Sequence, residues 1–116
     1  MELQSLIEMI LPEGITKYFE VTKIVKEVSS YRIYLSEKNT LPLEYSSGKL
    51  ISKGFFDEIT VQDFPIRGKA CYLHVRRRRW LNVTTGDSVF RDWDMVANGT
   101  RMSQEFASFL KGIARY

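Results

Sequence analysis

Four consecutive arginines, Arg76, Arg77, Arg78 and Arg79, run directly into Trp80. Of all the residues in this chain, these have the types and spacing best suited to binding chemistry. A guanidinium is planar, permanently charged and able to meet phosphate oxygens with paired donors, and a neighbouring indole can stack on a base or on a guanidinium. Arg67 and Lys69 lie shortly before the run and Arg101 after it. The chemistry implied is phosphate binding by nucleic-acid contacts. The competing reading is a solvated strand end with internal ion pairs, because runs of charge commonly face water.

Catalytic sets are missing. The chain has one histidine, His74, and one cysteine, Cys71. They are three apart, which on a strand puts them on opposite faces and makes a poor nucleophile–base pair. No Ser/His/Asp set is seen and one histidine leaves little room for one, and no glycine-rich phosphate loop is present. A single cysteine excludes an internal disulfide and any zinc site built on paired cysteines, so neither metal nor cofactor is expected. Asp57, Glu58 and Asp63 fall in one short acidic stretch and read as surface carboxylates rather than a magnesium site.

The element that must position the arginines is a strand. Pro65 and Gly68 punctuate a turn, after which Cys71, Leu73 and Val75 fall on one face and Tyr72 and His74 on the other. Continued through the run, this alternation sends Arg76 and Arg78 one way and Arg77 and Arg79 the other. One pair therefore continues the line of the apolar face, where an unpaired guanidinium is expensive. Either the strand leaves the core there, or something anionic meets the arginines.

Around that strand the pattern is mixed. Residues 3–11 place Leu3, Leu6, Ile7, Ile10 and Leu11 at helical spacing, stopped by Pro12 and Gly14. That helix either covers the sheet or docks a partner. From Tyr18 the period is two, with Phe19, Val21, Lys23 and Val25 on one face, a turn at Ser29-Ser30, and a return strand over Tyr31–Leu35. Residues 36–54 read as a loop, and Glu58–Gln62 as a strand entering the organising stretch. Thr85-Gly86-Asp87 makes a hairpin loop, from which Ser88–Trp93 returns antiparallel to the arginine strand and brings Arg91, Asp92 and Asp94 near it. Asn98-Gly99 breaks the chain. Ser103 is an N-cap for a terminal helix whose stripe is Phe106, Phe109, Leu110 and Ile113.

At 116 residues the chain fits one small domain. The net charge of +3 is unevenly spread. Residues 1–64 hold seven Lys/Arg against ten Asp/Glu, whereas residues 65–101 hold eight against three. A basic region beside an acidic one suits a nucleic-acid-binding surface on a globular support. No apolar run reaches the ~18 residues of a membrane span. Met1-Glu2-Leu3-Gln4 lacks a basic leader, so the expected location is the cytoplasm.

Three pieces together carry a family resemblance. They are Asp63-Phe64-Pro65-Ile66-Arg67-Gly68-Lys69, the apolar strand ending in arginines and Trp80, and Gly99-Thr100-Arg101-Met102-Ser103-Gln104-Glu105-Phe106. In this order they resemble the N-terminal region of bacterial insertion-sequence transposases of the ISL-three type. That family has a D-x-P-x-x-G turn, a basic-aromatic strand with a hairpin, and an R-x-T-x-x-F segment opening a helix. The resemblance covers about residues 57–116. Gly14 through Leu35, and Lys53-Gly54-Phe55-Phe56-Asp57-Glu58, are similar to the variant in which this region is a separate small chain. The resemblance implies a non-catalytic DNA-binding or assembly module whose DDE catalytic domain is a separate chain.

The family's usual form is a zinc ribbon. Here Asn82, Thr84, Thr85 and Gly86 supply no thiolate where a cysteine would stand, so the resemblance implies a ribbon-like hairpin at about 57–100 without zinc, held by Trp80, Val89, Phe90 and Trp93.

The expected fold is α+β, one domain over 1–116: an antiparallel sheet of about five strands with an N-terminal and a C-terminal helix. The expected DNA-binding residues are Arg67, Lys69, Arg76, Arg77, Arg78, Arg79, Trp80 and Arg101. Two other functions stay open, a subunit that docks a catalytic transposase chain and an unrelated RNA-binding module. Trp80 is either core or a stacking residue.

Overall fold

The computed structural model describes residues 3–11, 14–41, 49–98 and 104–116. Its elements are, in order, α1 (Leu3–Ile10), α2 (Ile15–Tyr18), β1 (Phe19–Lys26), β2 (Ser30–Glu37), β3 (Leu50–Phe55), β4 (Ile59–Ile66), β5 (Lys69–Arg76), β6 (Arg78–Asn82), β7 (Ser88–Val89), α3 (Trp93–Asn98) and α4 (Gln104–Ala114). The fold is mixed α+β, with most of the chain in strands. Instead of one antiparallel sheet of about five strands there are two sheets, of four strands in the order β1-β2-β5-β4 and of three in the order β3-β6-β7.

The first hairpin forms as the period-two pattern requires, but a bulge between Val21 and Lys23 shifts its phase. Phe19 and Val21 face Glu37 and Leu35. Beyond the bulge it is Ile24 and Lys26 that share this side, opposite Ile33 and Tyr31. Lys23 and Val25 therefore turn to the other face, contrary to the uninterrupted alternation. An extra residue in one strand reverses the faces of everything after it.

β5 lies between β2 and β4. It pairs antiparallel with β4 and parallel with β2, in register from Ser30↔Ala70 to Ser36↔Arg76. The parallel pair was invisible to local pattern, because the chain passes through β3 and β4 before it returns beside β2. The β4–β5 turn is Arg67-Gly68, both with positive φ (54° and 79°), flanked by the pair Ile66↔Lys69. This is the geometry of a two-residue primed hairpin turn. Pro65 belongs to β4, not to the turn. It sits at a register shift on an edge strand, where its missing N–H breaks no ladder.

All helices of the core pack on one face of the four-stranded sheet. Phe19, Ile33, Leu35, Ile59, Cys71, Leu73 and Val75 meet Ile7, Leu11 and Ile15 from the N-terminal helices and Trp93, Ala97, Phe109, Leu110 and Ile113 from α3 and α4. The α1 stripe splits. Ile7 is buried, whereas Leu6 and Ile10 are 44% and 43% exposed. The short helices α2 and α3 and the strand β3 had no recognised sequence signal. β7 is only two residues long, so the expected return strand ends at Val89, and Trp93 opens α3 instead. The stops at Pro12 and Gly99, the cap at Ser103 and the stripe residue Phe106 lie outside the described residues or side chains. Among the described residues no helix is long and apolar enough to cross a membrane.

Candidate nucleic-acid interface

The arginine run is the passage between the two sheets. β5 ends at Arg76, Arg77 links, and β6 begins at Arg78. The alternation nevertheless persists across the break. Arg76 and Arg78 lie over the Phe55 ring, with guanidinium carbons 4.0 and 4.6 Å from its centre. Arg77 and Arg79 lie over Phe56, at 5.4 and 5.9 Å. Local pairing sets this up: Phe55 is opposite Arg78 in the β3–β6 ladder, and Phe56 N–H donates to the Arg77 carbonyl at 2.9 Å. Each phenylalanine thus carries two arginines. Such contacts contribute about 0.5–1 kcal/mol at exposed sites and hold a guanidinium flat while leaving its outer edge open.

Arg77 and Arg79 continue the line of Cys71, Leu73 and Val75, the line that raised the burial problem. Their Nε atoms are buried and have no hydrogen-bond partner among the described residues. Burial pulls the Arg77 guanidinium below its ordinary value, and the nearby Glu37 carboxylate only partly opposes this. Arg76 is exposed. Arg78 is the one tied down, its Nε donating to the Glu37 carbonyl at 3.1 Å and its Nη1 to the Ser52 hydroxyl.

The acid that organises this region is Glu37, at the end of β2, with 1% exposure. One carboxylate oxygen accepts from the Arg78 N–H at 2.9 Å, the other from Arg91 Nε at 3.0 Å. Arg91 also donates to the Thr40 carbonyl and lies over Tyr18 and Trp93. Glu37 therefore joins the four-stranded sheet, the first residue of β6 and the chain after β7. Arg91 is held by Glu37 rather than by the arginine run.

Trp80 is fully buried and its Nε1–H donates to Asn39 Oδ1 at 2.9 Å. With no ring face exposed it cannot stack on a base, so that expected role is withdrawn and the core alternative holds. Trp80 pairs with Val89 in the β6–β7 ladder, whereas Trp93 stacks on Phe19 at 5.2 Å. Phe90 is exposed and touches Phe56 edge-on.

Arg67 and Lys69 stand at the far end of β5, about 23 Å of strand away from Arg76 at ~3.3 Å per residue. Lys69 lies over the Tyr31 ring. Neither joins the arginine cluster. Arg101 lies outside the described residues.

The uncovered face of the four-stranded sheet is polar and aromatic. Its rows run Val25–Arg32–Tyr72–Gln62 and Lys23–Tyr34–His74–Thr60. Arg32 lies over Tyr72, and Tyr34 stacks on His74 at 4.5 Å. Arginine can only donate, so His74 Nε2 accepts from Arg32 Nη1 at 3.1 Å. The proton is then on Nδ1, which donates to Thr60 Oγ1 at 3.1 Å, with Glu58 at 3.6 Å. Glu27 binds Arg32 Nε at 2.6 Å, and hydrogen bonds from Ser30 and then Arg32 hold its carboxyl below the ordinary value. On this face Arg32 is held by Glu27 and His74, and Lys23 lies over the Tyr34 ring.

Cys71 faces the core, and burial pushes its thiol up to about 11, with Asp63 adding to the effect. It is no nucleophile at neutral pH. Among the described residues no three His, Cys, Asp or Glu side chains gather as a metal site. The purified protein is expected to contain no stoichiometric metal and to keep its thermal unfolding midpoint in EDTA. Zinc found by elemental analysis, together with unfolding in chelator, would contradict this.

No family model matches the chain, and no curated protein or solved structure matches it.

Proposed function

We propose that this chain is a non-catalytic DNA-binding and assembly module of an insertion-sequence transposase, acting beside a separate DDE-type catalytic chain. The observation that carries the reading is the pair Arg77 and Arg79, half-buried together over the Phe56 ring. Phosphate oxygens would meet the outer Nη donors of both guanidinium groups, since the Nε atoms are buried. Arg76, held over Phe55, lies on the opposite side of the run. These contacts read backbone rather than base edges, so the binding is largely independent of sequence. The transposase context rests on the three-part sequence resemblance alone.

A second reading is favoured by one observation. Leu6, Met9 and Ile10 leave an apolar strip exposed on α1, as a subunit docking onto a catalytic chain would require. The two readings are compatible, and direct titration separates them. Saturable binding of a short duplex at low salt supports the DNA reading, and no binding at any salt contradicts it.

A further inference from the structure

The three-stranded sheet has one buried face and one open one. Trp80 and Val89, paired across β6 and β7, are buried. Their neighbours along each strand turn to the opposite face. There Ile51 is opposite Leu81, and Leu81 is opposite Ser88. Val83 stands beside Lys49, whose carbonyl accepts from the Val83 N–H at 3.0 Å. The bulge after Ser52 sets Lys53 and Gly54 against Arg79. Phe90, just after β7, meets Phe56 edge-on at 5.5 Å, and Phe56 is the ring that carries Arg77 and Arg79.

Three large apolar side chains of this face are left in solvent, Ile51, Val83 and Phe90, at 50%, 49% and 55% exposure. Singly, such residues are ordinary. Here they are interleaved with Lys49, Lys53, Arg77 and Arg79, while the acids nearest in sequence, Asp57, Asp87 and Asp92, fall just outside these rows. The positive charge suits a polyanion. A surface that only gripped phosphates would have no use for the apolar residues. They cannot read base edges in the major groove either, which calls for donors and acceptors. Apolar side chains beside arginines are instead what minor-groove proteins use to wedge a base step open. The minor groove of straight duplex is about 6 Å wide, whereas three strands span about 10 Å between their outer axes. The sheet fits only if the groove opens, and opening it bends the duplex toward the major groove.

We propose that the open face of the three-stranded sheet binds the minor groove of duplex DNA and kinks it, with Phe90 as the wedge and Ile51 and Val83 against the sugars. The inference rests on the DNA-binding reading above, and adds where the duplex lies and what shape it takes. Phe56 braces the wedge, and Arg77 and Arg79 meet the phosphates beside the kinked step. Selectivity then follows deformability: a flexible TA step at the centre of a duplex is favoured over a stiff, narrow A-tract.

The test uses the whole chain and two duplexes of about 25 base pairs, end-labelled for energy transfer, one with a central TA step and one with a central A-tract. The wild type is expected to raise the transfer on the TA duplex, as a kink of about 20–90° would, and to bind it about tenfold more tightly than the A-tract. Phe90→Ala truncates an exposed side chain. It should erase most of the change in transfer and bring the two affinities within about twofold, while log K still falls with log salt as the two arginines require. Adding Ile51→Ala should abolish what remains of the change. Binding by the wild type with no change in transfer overturns the wedge and leaves the phosphate reading intact. So does a kink that survives the double substitution. Binding to vesicles of anionic phospholipid that Phe90→Ala abolishes, with no kinked DNA, assigns the face to a membrane surface and overturns the proposal as well. Failure to bind either duplex at low salt overturns both readings.

Discussion

Glu37→Ala will destabilise the fold by about 3–5 kcal/mol, the range for removing one member of a buried ion pair. The loss is expected to be this large because two groups depend on the carboxylate. Arg91, itself 8% exposed, would keep a buried charge without its acid, and the Arg78 N–H would lose its acceptor. Denaturant unfolding measures the cost. The pair gives an internal control: Glu37→Met combined with Arg91→Leu should cost clearly less than the two single changes added together, because the second removes the charge that the first leaves stranded. Additive costs would mean that the two residues are not coupled.

The same residue sets a pH dependence. Burial holds the Glu37 carboxyl above its ordinary value of 4.5, and the Arg78 N–H and Arg91 only partly oppose this. A carboxyl raised in the fold binds its proton more tightly there than in the unfolded chain. Its contribution is thus fully present below 4.5 and is lost as pH rises through the raised folded value. Glu37→Ala should flatten that segment of the stability curve. Glu27 has the opposite sign, since its lowered carboxyl contributes above the ordinary value and that contribution fades as pH falls.

Trp80→Ala should cost about 3–5 kcal/mol, the range for truncating a buried large aromatic. The ring has no exposed surface, and its N–H is satisfied by Asn39, so the variant leaves both a cavity and an orphaned acceptor. Trp80→Phe should recover most of the volume but not the hydrogen bond, worth about 0.5–1.5 kcal/mol. A Trp80→Ala protein of normal stability that bound DNA weakly would restore the stacking role that burial denies.

The strand Cys71–Val75 and the alternation of the four arginines were legible in the sequence because both depend only on the two-residue period of a strand. The terminal helices were legible from their apolar spacing. The parallel β2–β5 pair was not, because it joins segments forty residues apart and leaves no local mark. Nor was the bulge at Thr22, which moved Lys23 and Val25 to the open face. Within the site, Phe55 and Phe56 were seen only as the resumption of structure. Two adjacent aromatics opposite two alternating pairs of arginines can match only after β3 is known to pair with β6. Glu37 gave no signal, since a lone glutamate at the end of a strand usually faces water. Arg67 and Lys69 were grouped with the run by closeness in sequence, but an extended strand separates its ends more than any other element of equal length.

The central claim is that the arginine run neutralises DNA phosphates, and the salt dependence of binding tests it most directly. Each phosphate neutralised releases condensed counterions, so log K falls with log salt at about 0.9 per contact on duplex DNA. Arg76, Arg77 and Arg79 are the arginines of the run not held by Glu37 or Ser52. Because Arg77 and Arg79 share one side of the run, the wild type should show a slope of about 2, and Arg77→Ala with Arg79→Ala should remove most of it, equally on unrelated duplexes. Both substitutions remove buried nitrogens that have no hydrogen-bond partner among the described residues, so the variant should remain folded. An unchanged slope in a folded double variant, or no binding by the wild type at low salt, would contradict the claim.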